Sequence, residues 1–314
     1  MQKFFQKPGA YIPLASLCCL LWSSAFPFIK LGYKFFLIDS SDYASQILFA
    51  GCRFFLAGVL TLIIVSIISK KVLVPKRKST FFHIGSLALV QTALNYTFFY
   101  LALALIEGSA GSVINASGSF LSVLFAALFF KNDSLSFNKA IGCVLGFAGI
   151  VLLNFKTLRL GGSFGGEGLM LLSALFYALS SVMIKKFSES DNPALLNGWQ
   201  FMFGGLLMIV LGLALGGRLQ SINAKAVLIL LWLALVSAVA YTLWSVLLKY
   251  NEVSKISVFG FINPVGGVIL SALLLHEQIN VGLSAVCLAL VSAGIIFVNL
   301  KHSNCIRTRF KSDI

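Results

Sequence analysis

The sequence predicts an all-α integral membrane protein of ten transmembrane helices, arranged as two inverted five-helix repeats. Three observations carry that prediction. The chain is 59% hydrophobic and 11% charged, with mean hydropathy +0.95, whereas soluble domains carry about 25% charged residues. Long uncharged runs follow one another with short connections. The second half of the chain repeats the pattern of the first.

A spanning helix needs about 20 apolar residues at 1.5 Å rise per residue. The first candidate, Ile12–Leu31, follows Lys3 and Lys7. A signal peptide starts similarly, but this run is longer than a signal's apolar region and no small-x-small cleavage site follows it. Gln46–Ser69 stops at Lys70-Lys71, and Phe81–Ile106 starts after Lys76-Arg77-Lys78. Ser109–Phe130 stops at Lys131, and Phe137–Phe155 stops at Lys156. Gly168–Ile184 stops at Lys185-Lys186. Ala194–Gly216 and Ala226–Leu248 are separated by a loop holding Arg218 and Lys225. Ile256–Leu275 and Ile279–Leu300 complete the set. No loop is long enough to form a soluble domain.

The net charge of +14 could suggest nucleic acid, but lysine and arginine cluster in short loops and at the tail. That distribution belongs to membrane topology, not to a basic groove. A cytoplasmic N-terminus puts seventeen of these residues inside and six outside, with Arg53 within a span. The expectation is a multi-pass protein of the cell (plasma or inner) membrane with both termini cytoplasmic. Cys18, Cys19, Cys52, Cys143 and Cys287 fall in spans and Cys305 in the tail, so they read as small hydrophobes rather than a disulfide framework or metal site.

Shifted by 145 positions, Asn95–Lys156 matches Ala240–Lys301 without a gap. Tyr96-Thr97 falls on Tyr241-Thr242, Glu107 on Glu252, Ser109 on Ser254, Ala148-Gly149-Ile150 on Ala293-Gly294-Ile295 and Asn154 on Asn299. With slightly different shifts, "LWSSAFPFIK" (Leu21–Lys30) lies over "FYALSSVMIK" (Phe176–Lys185), and Arg53-Phe54 over Gln200-Phe201. Five is odd, so the second copy enters the membrane from the opposite side. Inverted repeats of this kind mark secondary transporters. The expected units are a first repeat at 12–155, a Gly-rich linker at 156–167, a second repeat at 168–300 and a basic cytoplasmic tail at 301–314. The linker stretch "LGGSFGGEG" lacks the Lys-Ser/Thr ending of a phosphate loop.

In "LWSSAFPFIK", in the Arg of "CRFFLAG" and in "NPVGGVILSALLLHE", the chain resembles paired EamA domains of the drug/metabolite transporter superfamily over about residues 12–300. The resemblance implies a ten-helix carrier of small organic solutes, often exported. In that family the fourth and ninth helices typically carry a proline and end in a glutamate. The second copy matches with Pro264 and Glu277; the first has Ser119 and Asn132 there. The fourth helix is therefore expected to be straighter.

The ninth span, "GFINPVGGVILSALLLHEQ", carries a proline that cannot complete a helical ladder. Freed carbonyls must be satisfied away from lipid, which places this stretch at the bundle centre. Ser257, Gly260, Pro264, Gly267 and Ser271 share a face. Pro264 and Gly267 read as a hinge, and the same face reads equally well as a small-residue packing seam. The candidate substrate-binding residues are Trp22, Arg53, Gln91, Asn95, Tyr96, Asn115, Ser119, Tyr177, Gln200, Tyr241, Trp244 and Asn263. Trp199, beside Gln200, joins the same lining. Aromatic and amide groups together suit an amphipathic organic solute, although core packing or an interface belt is the plainer reading of any single aromatic.

Arg53 lies seven residues into its span, about 10 Å along the axis. An intramembrane charge is a functional candidate, here for a substrate carboxylate or an outer-gate partner, with snorkelling toward headgroups or a structural bond to backbone carbonyls as the alternatives. Glu107 and Glu252 are repeat mates at opposite faces, either gates or solvated helix ends. His83 and His276 near helix ends are weak proton-relay candidates, and no acid sits deep in a span. There is no Walker, HExxH or G-x-S-x-G motif. The reading is a secondary exporter of metabolites or amino acids, with an importer or a drug or polyamine carrier as alternatives on the same fold and a membrane-embedded enzyme or a non-transporting membrane protein as remote ones. It is not expected to be an enzyme or to need a cofactor or metal. Its partners are a small solute and the bilayer, not nucleic acid, and monomer and homodimer both fit.

Overall fold

Ten helical rods follow one another in the predicted order in the computed structural model, which describes residues 2–39, 41–105, 108–154, 164–275 and 281–300. After a turn of helix at Gln2–Phe5 come α1 (Pro8–Phe36) and α2 (Tyr43–Ser69). The third rod, α3, has three parts: Lys78–Leu87, a π-helical stretch Ala88–Leu94, and Asn95–Leu105. Then come α4 (Gly108–Phe129), α5 (Phe137–Asn154), α6 (Phe164–Phe187), α7 (Pro193–Ala214) and α8 (Ala224–Tyr250). The ninth rod, α9, is Val253–Ser257, a 3-10 turn Val258–Phe261, and Ile262–Leu275; α10 is Val281–Asn299. No strand occurs among the described residues. Glu107, His276, Glu277, most of the Gly-rich linker and the basic tail lie outside the described residues.

Among the described residues, five rods, α1, α2, α6, α7 and α8, are long and apolar enough to cross a membrane, and shorter apolar helices lie within α4, α5 and α10. Local chemistry sets several ends. Asp42 caps α2 by accepting from the Ser45 amide at 3.0 Å. Asn223 caps α8 through the Ala226 amide at 2.9 Å. Pro193 opens α7, where its missing N–H leaves no bond unmade. The Tyr11 hydroxyl donates to Asn299 Oδ1 at 2.9 Å, which joins the start of α1 to the end of α10 on one face. That face is called the N-terminal face below.

The break in α9 begins earlier than the sequence alone suggests. Pro264 sits in the first turn of Ile262–Leu275, where a proline is tolerated, and the distortion falls on Val258–Phe261 just before it. A proline ring clashes with the carbonyl four residues back, here Gly260, and the chain tightens to a 3-10 turn. The fourth rod carries Ser119 at the matching position and runs as one α-helix, as expected.

The π-helical stretch of α3 is a feature the sequence reading missed. "LALV" at Leu87–Val90 recurs at Leu233–Val236, a shift of 146, while Tyr96 and Tyr241 differ by 145. The first copy thus holds one more residue between these points. Ala88–Leu94 absorbs it by widening, while α8 stays α-helical throughout.

The packing obeys the repeat. The mates α2 and α7 cross each other, as do α5 and α10; α1 packs on α9 as α6 packs on α4, and α1 on α8 as α6 on α3. Glycines make the closest crossings. A Cβ on Gly51 would lie 2.9 Å from the Gly205 carbonyl oxygen, and one on Gly205 would lie 2.8 Å from that of Gly51. The repeat mates of this pair, Gly198 and Gly58, form the equivalent crossing further along. On the other side, a Cβ on Gly142 or Gly294 would stand 2.6 Å from the other's carbonyl oxygen. Small residues at such seams let backbones approach and pack without a hydrophobic drive between helices.

Gly205→Ala is therefore expected to lower the stability of the detergent-purified protein by about 1–3 kcal/mol through overpacking. Gly85→Ala, where nothing lies within 4 Å of the added methyl, should instead be neutral or stabilise by up to about 1 kcal/mol. Thermal unfolding of both variants reads the opposite signs; equal effects would remove the seam as the source.

Candidate functional site

Two residues beyond Gly51 and Gly198 stand Arg53 and Gln200, so the glycine crossing of α2 and α7 carries both into the middle of the bundle. They are 3% and 0% exposed. The second rod starts at Tyr43 rather than Gln46, which places Arg53 ten residues in, about 15 Å along the axis. This is further along the helix than the sequence implied.

Arg53 Nε donates to Ser237 Oγ on α8 at 3.0 Å. Thr92 Oγ1 on α3 donates to Gln200 Oε1 at 2.6 Å. Thr92 and Ser237 are 145 apart, and Arg53 and Gln200 are mates. The two bonds are therefore the same contact made once in each half. Between them the hydroxyls of Tyr96 and Tyr241, also mates, hydrogen-bond to each other. The mates Phe54 and Phe201 stack at 5.3 Å, with Phe54 4.3 Å from Tyr96 and Phe201 5.1 Å from Tyr241. The pseudo-two-fold axis of the repeat runs through this four-ring cluster.

Around Arg53 the groups are neutral. Its Cζ lies 5.2 Å from the centre of the Phe54 ring. The phenols of Tyr33, Tyr96, Tyr100 and Tyr241 stand within reach of its charge. Among the described residues, no carboxylate forms an ion pair with it. A charge at this depth costs about 2.5–3.5 kcal/mol on insertion scales.

Trp22 and Trp244 extend the cluster. Their rings are 5.0 Å apart, and Trp22 is 4.7 Å from Tyr241. Among the described residues, both indole nitrogens are buried without a hydrogen-bond partner, as are Gln200 Nε2, Gln91 Oε1, Asn197 Oδ1 and Asn263 Oδ1. Asn95 is held internally: its Oδ1 accepts from Ser173 Oγ at 2.8 Å and its Nδ2 donates to the Gln91 carbonyl at 3.3 Å. Ser23, beside Trp22, donates to the Asn263 carbonyl at 3.1 Å and so ties α1 to the start of the Pro264 segment.

Of the sequence-predicted residues, Trp22, Arg53, Tyr96, Gln200, Tyr241 and Trp244 come together here. Gln91 and Asn95 adjoin through Ser173 and the π-helical stretch. Ser119 lies on α4 facing Gly260, where an added Cβ would collide with its hydroxyl. Tyr177 abuts Gly118 across the α4–α6 contact, and Asn115 is half-buried one turn earlier on α4. Gly267 is buried beyond Pro264. Trp199 is not part of the cluster: it donates to the Leu73 carbonyl at 2.8 Å and stacks on Phe203, because its position beside Gln200 turns it to another face of α7. Thr92, Phe54, Phe201 and Tyr33 join the site unpredicted, and the shift of 145 from Ser237 was the available signal for Thr92.

The N-terminal face is tied by two polar networks. Lys139 Nζ bonds Asp133 at 2.7 Å and Glu252 at 3.2 Å, and Glu252 also meets Lys255 at 2.7 Å. Asp133 accepts from the amide and hydroxyl of Ser254. Glu252 is thus bound into a bridge between the α4–α5 and α8–α9 connections. In the second network Asp191 accepts from Arg77 at 2.8 Å and Thr80 at 2.7 Å, with His83 Nδ1 at 2.7 Å. His83 stacks on Phe187 at 4.0 Å. Burial pushes the Asp191 carboxyl up, but the hydrogen bonds from Thr80, His83 and Arg77 outweigh it and hold the group down at about 2.

A sequence model described as the EamA-like transporter family matches residues 9–155 and again 164–300. A WAT1-related chloroplastic protein of Arabidopsis thaliana is 28% identical over 241 residues, 73% of this chain and 57% of its own length; the chain thus spans little more than half of that relative. A "Probable amino-acid metabolite efflux pump" of Salmonella typhimurium is 26% identical over 299 residues, 91% of this chain and 93% of its own. A solved crystal structure has the same fold, with TM-score 0.74 at 18% identity over 91% of this chain and 98% of its own.

Because the Asp191 carboxyl is depressed in the folded protein, its bracket stabilises at pH above the ordinary carboxylate value near 4 and is lost as pH falls toward about 2. Asp191→Asn should unfold at a lower temperature than the unsubstituted chain at pH 7. That gap should close progressively as the pH is lowered from 5 to about 2.5. A gap independent of pH in thermal melts would show that the carboxylate charge is not what holds this face.

Proposed function

The chain belongs to the EamA-like transporter family, and from that premise we propose that it is a secondary transporter exporting amino acids or related metabolites by alternating access. The observation that carries this reading is the buried aromatic and polar cluster on the repeat axis, flanked by Arg53 and Gln200. Such a cluster has more polar groups than packing needs, at the depth where inverted-repeat carriers bind their solutes. The amino-acid class is supported by the name of the Salmonella typhimurium relative. The substrate site comprises Trp22, Arg53, Tyr96, Gln200, Tyr241 and Trp244, with Gln91, Asn95, Asn115, Ser119, Tyr177 and Asn263 around them. Pro264 and Gly267 form the hinge of α9.

The repeats at 12–155 and 168–300 act as the two moving halves, and the segment 156–167 joins them. The excess of lysine and arginine in the N-terminal-face loops supports cytoplasmic termini in the plasma or inner membrane. On that orientation the Asp133–Lys139–Glu252 bridge closes the cytoplasmic side. The sequence mates at the other face are Gln278, Ser284 and Glu107, which cannot make the same lysine bridge. The two gates thus differ in strength.

The test is exchange of radiolabelled leucine and phenylalanine in proteoliposomes. Saturable exchange by the purified chain is expected; exchange of amines alone would make it a drug or polyamine carrier, and no exchange of any solute it binds would end the transporter reading. Pro264→Ala is expected to slow exchange about tenfold, equivalent to about 1.4 kcal/mol, with equilibrium binding within about twofold. Equal losses of rate and binding would remove the hinge.

A further inference from the structure

We infer that Arg53 forms a carboxylate-binding subsite, so that the transported solute is an organic acid or amino-acid zwitterion with an apolar body. This rests on the transporter reading above and names its substrate class. Arg53 is 3% exposed, and its described partners are a hydroxyl, phenols and the face of Phe54. These satisfy hydrogen bonds but leave the charge uncompensated. An arginine within a membrane bundle pairs with an opposite charge or backbone carbonyls, or marks a substrate pathway. Ser237 takes the Nε and the Tyr100 phenol also bonds the guanidinium; both are neutral partners that a carboxylate, gripped by the planar fork through parallel bonds, would outcompete.

The repeat supplies an internal control. Gln200 occupies the mate position, is fully buried and makes the equivalent bond to Thr92. A neutral amide therefore serves the architecture of this crossing as well as a guanidinium does. The charge at Arg53 is thus more than the bond to Ser237 requires, and a carboxylate ligand would account for it.

A second observation points the same way. Trp22 Nε1, Trp244 Nε1 and Gln200 Nε2 are buried donors with no partner among the described residues, on side chains more than nine-tenths buried. Unmade buried donors carry a desolvation penalty until something accepts from them. Three such N–H groups and a guanidinium, carried by residues of the ring cluster and its flanks, form a donor set whose complement is an anionic acceptor. The six rings of Phe54, Phe201, Tyr96, Tyr241, Trp22 and Trp244 supply the apolar walls. On neighbouring α3 and α9, Gln91 Oε1 and Asn263 Oδ1 are acceptors without partners, which suits the ammonium of a zwitterion.

The experiment compares the detergent-purified full chain with Arg53→Gln. The probes are leucine, phenylalanine and 3-phenylpropionate against leucinamide, phenylalaninamide and phenethylamine, read by thermal shift and calorimetric titration. At least one acid should bind the unsubstituted chain about tenfold or more tightly than its amide. Arg53→Gln should melt no lower than the unsubstituted chain, as its mate Gln200 implies, and should bind that acid and its amide equally. Acid binding unchanged by Arg53→Gln overturns the subsite, as does failure of every acid to bind at millimolar concentration, or preference for the amides. Should Arg53→Gln fail to fold, Trp22→Phe with Trp244→Phe decides: acid binding weakened about tenfold upholds the donor set, and unchanged binding overturns it. Exchange of amines in proteoliposomes that persists in Arg53→Gln would overturn this inference and leave the transporter reading standing; binding of acids without any exchange would do the reverse.

Discussion

The contact on which the rest of this structure depends is the crossing of α2 and α7 at their own glycines. Gly51 meets Gly205 and Gly58 meets Gly198, backbone against backbone. Each helix is the repeat mate of the other, so one contact is made twice by the same short pattern, a glycine and its successor seven residues on. No side chain separates the two backbones, and the next inward positions, Arg53 and Gln200, are brought close to one axis. The ring cluster, the paired bonds to Ser237 and Thr92, and the indoles beyond Tyr241 all take their places from that approach. A larger residue at the seam would open the centre of the molecule as well as weaken its packing.

Against this symmetry, the departures are informative. Arg53 is charged and Gln200 is not. The third rod widens at Ala88–Leu94 while its mate α8 stays regular, and α9 tightens at Val258–Phe261 while its mate α4 runs straight. The N-terminal face carries the buried Asp133–Lys139 pair, for which the sequence offers no counterpart at the other face. Scaffold positions keep the repeat, and the altered positions are those with chemistry: a charge, an unpaired amide, a bent backbone, an ion pair. Duplicated architecture fixes where groups sit, and divergence decides what they do.

Much of this was legible in the sequence because the bilayer imposes a crude rule. Each span must be long, apolar and internally hydrogen-bonded, so charge-free runs and their lysine borders locate ten rods to within a few residues at the described ends. Pro264 announced a break, although the chain relieves it one turn earlier, since a proline disturbs the carbonyls behind it more than its own position. The widening of α3 needed a finer comparison: the "LALV" pair and the tyrosine pair disagree by one residue, and a single assumed shift hides that. Side-chain direction was the least legible. Trp199 and Gln200 are adjacent yet face different surroundings, and nothing in their spacing says which one turns inward. Glu252 reads locally as a solvated helix end; its bond to Lys139 joins residues 113 positions apart.

The Tyr96–Tyr241 contact has a geometric consequence. Two halves that trade shapes carry every contact of one half onto the matching contact of the other. A contact between mates is carried onto itself. The tyrosine hydroxyl pair and the Phe54–Phe201 stack therefore keep the same form at both ends of such a trade, while contacts away from the axis are exchanged in length and partner. In the transport cycle proposed above, they would be the fulcrum of the motion and not its door. A solute moved by that cycle would pass around the fixed point, along a wall where Arg53 stands on one side and Gln200 on the other.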